Sequence, residues 1–179
     1  RFYPVPVVDF TADSITGCSI HCTDFTNLST IGAPDNITTW VWDFGDNSAG
    51  STIEHPTHCF LQTGSYDVQL IATSNNGCLA SLVKIQFVHI FVTPVAEFYP
   101  TPNPATIIDP TITLNNQSSS DVNYWYWDFG DGSPDLSPNT PSPVHVYPND
   151  TAGSFIVTLM VHNADGCWDT VAHTIFLGT

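Results

Sequence analysis

What this chain lacks narrows it first. Arg1 and Lys84 are its only fixed cations, against 17 carboxylates, for a formal net charge of −15. Phosphate recognition needs clustered Lys and Arg, so nucleic-acid binding is excluded, and adhesion to anionic lipid is disfavoured on the same ground. Lys and Glu are so scarce that long amphipathic helices with charged faces cannot be written in this alphabet. No run of about 18 apolar residues occurs, so no helix is expected to span a membrane. No basic segment leading into an apolar stretch opens the chain, and removal of an export signal is the expected reason. Of the 179 residues, 11% are charged and 42% hydrophobic, the remainder being largely Thr, Ser, Asn, Pro and Gly. That composition describes a turn-rich β exterior rather than a disordered acidic tail.

What is present is a duplication. Trp40-Val-Trp-Asp-Phe-Gly-Asp46 returns as Trp125-Tyr-Trp-Asp-Phe-Gly-Asp131, an offset of 85. Pro6-Val-Val-Asp-Phe10 returns as Pro94-Val-Ala-Glu-Phe98, His58-Cys-Phe60 as His145-Val-Tyr147, and Asn76-Gly-Cys78 as Asp165-Gly-Cys167, at offsets of 88, 87 and 89. Several matches in one order at nearly one period mark two copies of one unit, with loop insertions and deletions accounting for the drift. The expected units are 1–91 and 92–179. With no Gly/Ser linker between them, they are expected to form a stiff, extended rod.

Each copy reads as short strands. Ser19–Phe25, Thr111–Asn115, Ser65–Ala72 and Ser154–His162 alternate as half-buried strands do, and Leu79–Val88 and Trp168–Leu177 follow them. Asn75-Asn-Gly77 and Ala164-Asp-Gly166 are predicted hairpin turns of type I′. Turns every 8–12 residues on such strands indicate an all-β fold of two sandwiches.

The Trp-Asp-Phe-Gly-Asp segments explain themselves structurally. Trp42 and Phe44, like Trp127 and Phe129, alternate with Asp43 and Asp128 and are predicted to enter the core. Asp43, Asp46, Asp128 and Asp131 can accept backbone N–H bonds, and Gly45 and Gly130 permit positive φ. The letters Asp-Phe-Gly occur in kinases, but the accompanying nucleotide loop, lysine strand and catalytic loop are absent. No Gly-x-Ser-x-Gly elbow, His-Glu-x-x-His pair or phosphate loop is present, so no enzyme is expected.

The segment Trp-x-Trp-Asp-Phe-Gly-Asp is followed by Pro56-Thr-His58-Cys-Phe60 and Gly64-Ser-Tyr66 in one copy. Pro143-Val-His145-Val-Tyr147 and Gly153-Ser-Phe155 follow it in the other. This combination resembles the PKD family once per half and covers nearly the whole chain. The resemblance implies an immunoglobulin-like β-sandwich in each half and a place in secreted or cell-surface proteins, as stalks, adhesive arrays or accessory domains. The Gly-Cys hairpins resemble repeats in long surface proteins of Bacteroidetes-type bacteria. Some PKD domains bind calcium, and Asp128, Asp131 and Asp135 are the hard oxygen donors such a site would use here. No other cofactor is expected.

The resemblance also suggests Cys18–Cys78 as one disulfide, with Cys22–Cys59 as the second and Cys167 left unpaired. A Cys18–Cys22 bridge is disfavoured because residues four apart on an extended strand are too distant. Asn27, Asn36, Asn116 and Asn149 head N-linked sequons, and Asp-Ser/Thr-aliphatic triplets at Ser14, Thr151 and Thr170 resemble O-linked acceptors of Bacteroidetes-type secreted proteins. Covalent glycans are therefore expected.

The leading functional expectation is a structural module of a cell-surface fibre, stalk or adhesin. Apolar terminal segments (Phe2, Tyr3, Pro4, Val5, Phe91 and Val92) would drive end-to-end self-association into a homo-oligomer or filament. The alternative is an accessory module for a glycan or protein ligand, with Tyr124, Tyr126 and Trp168 stacking on sugar rings.

Overall fold

The structure is a computed structural model and describes residues 2–133, 140–150 and 152–179. The expected calcium donor Asp135 and glycan acceptor Thr151 lie outside the described residues. Within the described residues every regular element is a strand. The first seven are β1 (Phe10–Ala12), β2 (Thr16–Cys18), β3 (His21–Asn27), β4 (Ile37–Asp43), β5 (Thr57–Phe60), β6 (Gly64–Ser74) and β7 (Leu79–Phe91). The second seven are β8 (Phe98–Thr101), β9 (Ala105–Thr106), β10 (Thr111–Asn116), β11 (Val122–Asp128), β12 (Val144–Val146), β13 (Gly153–Asn163) and β14 (Trp168–Gly178). They form two compact units, Arg1–Val92 and Thr93–Thr179.

In the first unit a sheet ordered β1-β3-β5 accompanies one ordered β2-β7-β6-β4. The second unit repeats this with β8-β10-β12 and β9-β14-β13-β11. In both, a short second strand leaves the first strand's sheet and pairs in parallel with the last strand of the other, β2 with β7 and β9 with β14. The duplication therefore extends from residues to topology, and each unit is an immunoglobulin-like sandwich.

Period-two alternation places the cores. Phe10, Phe25, Trp42, Phe44, Phe60, Val68, Leu70, Val88 and Ile90 fill the first. Phe98, Leu114, Trp127, Phe129, Tyr147, Val157, Leu159, Ile175 and Leu177 stand in the same places in the second, which Ile112 and Val161 help to fill. Truncating one such wholly buried aromatic costs about 3–5 kcal/mol.

One sequence expectation needs correction. Each hairpin at Asn75–Gly77 and Ala164–Gly166 closes with a glycine N–H donating three residues back, Gly77 to Ser74 O and Gly166 to Asn163 O. Only the glycines have positive φ, at 79° and 80°. This is a type I turn followed by a left-handed glycine, not the type I′ turn, which needs positive φ at two positions. The last strand of the first unit is also irregular. Opposite Tyr66 and Val68 stand Val88 and Lys84, so β7 carries two extra residues, Ile85 and Gln86, inside the strand. Gln86 has φ 50°, and its N–H is held by the Asp67 side chain at 2.7 Å. The first unit's last strand thus carries a bulge that its counterpart β14 lacks.

Candidate functional site

The repeated turn is the most elaborated feature of either unit. Asp43 and Asp128 each accept the N–H of the glycine two residues on, at 2.9 Å. Gly45 and Gly130 have φ near 74° and 75°. A Cβ on Gly45 would lie 2.3 Å from the Asp67 carbonyl oxygen, and one on Gly130 would lie 2.3 Å from that of Ile156. Glycine is therefore required twice over, by φ and by the approach of the neighbouring strand's backbone.

The second aspartate of each turn anchors a histidine. Asp46 Oδ2 meets His58 Nε2 at 2.8 Å, and Asp131 Oδ2 meets His145 Nε2 at 2.8 Å. An ionised carboxylate can only accept, so Nε2 carries the hydrogen. Each imidazole lies flat on the turn phenylalanine, His58 on Phe44 at 3.9 Å and His145 on Phe129 at 4.0 Å. The Tyr147 hydroxyl donates to Phe129 O at 3.1 Å. Burial alone would raise the Asp131 carboxyl, but hydrogen bonds from Ser133 and His145 outweigh it and hold the group below the usual carboxylate range. Asp46 is lowered in the same way by Ser48 and His58. Burial, followed by the charges of Asp131 and Asp128, pushes the Tyr147 phenol up. Among the described residues neither imidazole is hydrogen-bonded to a serine, threonine or cysteine. Chemically the pair is a clasp between the turn and β5 or β12.

The same contacts bear on calcium. Asp128 Oδ1 and Asp131 Oδ1 accept the amides of Gly130 and Ser133, and Asp131 Oδ2 faces His145. Among the described residues no group of three His, Cys, Asp or Glu side chains is placed to hold a metal ion.

The cysteines depart from the suggested pairing. Cys22 and Cys59 stand opposite each other on β3 and β5 and form a disulfide, with Cα atoms 3.9 Å apart. Cys18 and Cys167 are also disulfide-bonded, whereas Cys78 is a free thiol. The Cys18–Cys78 bridge fails on distance. Cys18 pairs with Phe91 at one end of β7, and Cys78 precedes Leu79 at the other. Twelve strand steps separate those ends by roughly 40 Å, far beyond a disulfide's reach. Cys167, expected to be unpaired, is fully buried. Alkylation without reductant should therefore add one adduct, on Cys78, and after reduction five; intact mass reads both. Replacing Cys22 and Cys59 by serine opens a loop of 37 residues and should cost about 3–4 kcal/mol in urea titration.

Two of the four sequons have a structural cause. Asn27 Oδ1 accepts the Ser29 N–H at 3.0 Å, and Asn116 Oδ1 accepts that of Ser118 at 3.1 Å. Ser29 Oγ donates to Asp9 O and Ser118 Oγ to Glu97 O, each at 3.3 Å. Asn-x-Ser here is a clasp joining the end of β3 or β10 to the segment entering β1 or β8. Asn36, Asn149 and Thr170 are exposed, whereas Ser14 is half-buried and donates to Thr16 O at 2.9 Å.

The candidate sugar-stacking residues lie together on the outer face of the second unit. Tyr124, His162 and Trp168 stand side by side across β11, β13 and β14, and Tyr126, Met160 and Thr170 form the next row. Tyr124 stacks on His162 with centroids 4.4 Å apart and planes at 13°. Trp168 is 61% exposed. His162 and Met160 were not singled out in the sequence; the register between strands is what brings them into the group.

These units match known proteins. The PKD domain family model matches residues 4–89 and 91–176. The PKD1 domain of the Vibrio cholerae metalloprotease PrtV is 32% identical, covering 49% of this chain and 99% of its own, with TM-score 0.40. The PKD1 domain of Vibrio anguillarum Epp is 26% identical, covering 49% and 95%, with TM-score 0.40. An I-band fragment of titin is 14% identical, covering 99% of this chain and 66% of its own, with TM-score 0.47. The fold defines two immunoglobulin-like β-sandwich units. The chain belongs to the PKD-domain family. Tandem PKD domains are typical of extracellular modules of larger proteins, and PKD and immunoglobulin-like modules are generally non-catalytic structural or binding domains. The disulfides are consistent with an extracellular location. No helix of the described residues is long and apolar enough to cross a membrane.

Proposed function

We propose that this chain is a structural module of a larger secreted or cell-surface protein, and that it builds a fibre, stalk or adhesin by end-to-end association. The observation that supports this reading is the exposed apolar face of the segment before β1. Phe2, Val5 and Val7 all present their side chains to solvent, as do Val92 and Val95 ahead of β8. A contact between unlike ends does not close on itself and propagates. Strand addition at an open sheet edge is one route to such a contact. Electron microscopy and sedimentation of the protein with and without residues 1–8 test the reading. Oligomers or filaments that disappear on truncation support it, and monomers in both cases overturn it.

Surface glycans belong to the same reading, since a surface poor in charge pairs gains solubility from sugar. Exposed Asn36 and Asn149 should carry them in preference to Asn27 and Asn116, whose side-chain oxygens are held by backbone amides. Glycopeptide mapping of the secreted protein checks this order of occupancy.

A further inference from the structure

The two copies are each other's control. Their inner faces match, with Trp40 and Trp125, Trp42 and Trp127, and Leu70 and Leu159 in equivalent places. Their outer faces do not. Where the second unit sets Tyr124, His162 and Trp168 in one row, the first has Thr39, Thr73 and Leu79. Where the second sets Tyr126, Met160 and Thr170, the first has Val41, Ile71 and Ser81. The fold therefore does not need these rings, because the first unit closes the same sandwich without them. Trp168 is the one tryptophan of five that is exposed; the other four are buried or packed against a core.

We infer that this face of the second unit is a binding site for a neutral polysaccharide of pyranose rings, stacked along the Tyr124–His162–Trp168 row. Three observations select that ligand. The first is extent. Three strands at about 4.8 Å and two rows at about 6.7 Å give a footprint of roughly 10 by 7 Å. Two or three linked sugar rings cover it, whereas a stable protein interface needs about 800 Å² on each partner. The patch also ends abruptly, since the next row is Asp128, Thr158 and Ala172.

The second observation is charge. Both fixed cations, Arg1 and Lys84, belong to the first unit, so the second has no Lys or Arg to neutralise a sulfate or uronate. The third is the mixture of groups. The C–H face of a pyranose packs on an aromatic ring, while hydroxyls need donors and acceptors close by. Exposed Thr170 and Asp128 supply them on the same face. The stack on His162 holds one side of the Tyr124 ring, so little side-chain freedom is lost on binding.

The test is affinity electrophoresis of the full chain through gels containing mixed-linkage β-glucan, xylan, galactomannan or, as the anionic comparison, alginate. The variant is Y124T/W168L, which installs the first unit's own residues and so retains the fold; an unchanged thermal melt checks this. Retardation on at least one neutral polysaccharide, weakened about tenfold or more in the variant, is the expected result. No retardation on any neutral polysaccharide overturns the inference, as does retardation that the variant leaves intact or that occurs on alginate alone. Sedimentation showing that the variant abolishes self-association while glycan binding is absent also overturns it, and assigns the face to a second copy of the chain. End-to-end association through the apolar segment can fail without affecting any of these outcomes.

Discussion

Replacing Gly130 by alanine should destabilise the second unit by about 2–5 kcal/mol, a large part of what holds a domain of this size together. Two costs combine. A left-handed φ of 75° costs a residue bearing a Cβ roughly 1–2 kcal/mol. The new methyl would stand 2.3 Å from the Ile156 carbonyl oxygen, so β11 and β13 must move apart, and such overpacking costs a further 1–3 kcal/mol. Gly132 provides the comparison. Its φ is 78°, but nothing lies within 4 Å of its Cβ position. Alanine there should cost only about 1 kcal/mol. Calorimetry, with hydrogen exchange assigning the transition to β11 and β13, should show a fall in Tm of about 10 °C or more for Gly130→Ala and about 5 °C for Gly132→Ala. Equal shifts would mean that the backbone approach contributes nothing.

Asp131→Ala should cost about 3 kcal/mol at neutral pH. The Asp131 side chain is 4% exposed and that of His145 13%, so solvent screens the pair weakly. Removing the carboxylate leaves a buried imidazole N–H and the Ser133 amide without their acceptor. The pH dependence separates this from simple loss of packing. The folded Asp131 carboxyl lies below its ordinary value. Its stabilisation is therefore fully present above the unfolded carboxylate pKa of about 3.9, and it is lost as pH falls through the lower folded value. Urea midpoints of wild type and variant should differ most at neutral pH and converge below about pH 4. A gap that stays constant down to pH 3 would show that the carboxylate acts by volume rather than by charge. Asp46→Ala should behave alike in the first unit, where Asp46 is lowered by corresponding contacts.

Much of the fold was legible because it rests on short-range signals. Alternation over β6 and β13 gave the strands, and the spacing of Trp42 and Phe44 gave their inward direction. What stayed hidden depends on pairing across the sheet. The Ile85–Gln86 bulge shows only once Val88 is seen opposite Tyr66. Only the register matches Phe25 with Leu114 and Cys22 with Thr111. The likeness between repeats suggests Cys78 as the partner of Cys18, and the length of β7 defeats that pairing. For the site, the turn aspartates were read as amide acceptors, which they are, while the histidine each one holds is 12 or 14 residues away and carries no local signal. The outer aromatic row was visible as three separate residues, and only register joins it to His162.

The Asn-x-Ser clasps at Asn27 and Asn116 carry a consequence for timing. The asparagine a transferase would modify holds the backbone of the serine whose hydroxyl pins each strand end to the segment entering β1 or β8. An enzyme that needs this asparagine accessible must reach it before the strand end docks. Sugar at these two positions would then record a race between folding and modification, whereas at Asn36 and Asn149 it would record only exposure of the finished surface. A mature chain bearing sugar at Asn27 would be one in which the transferase arrived first.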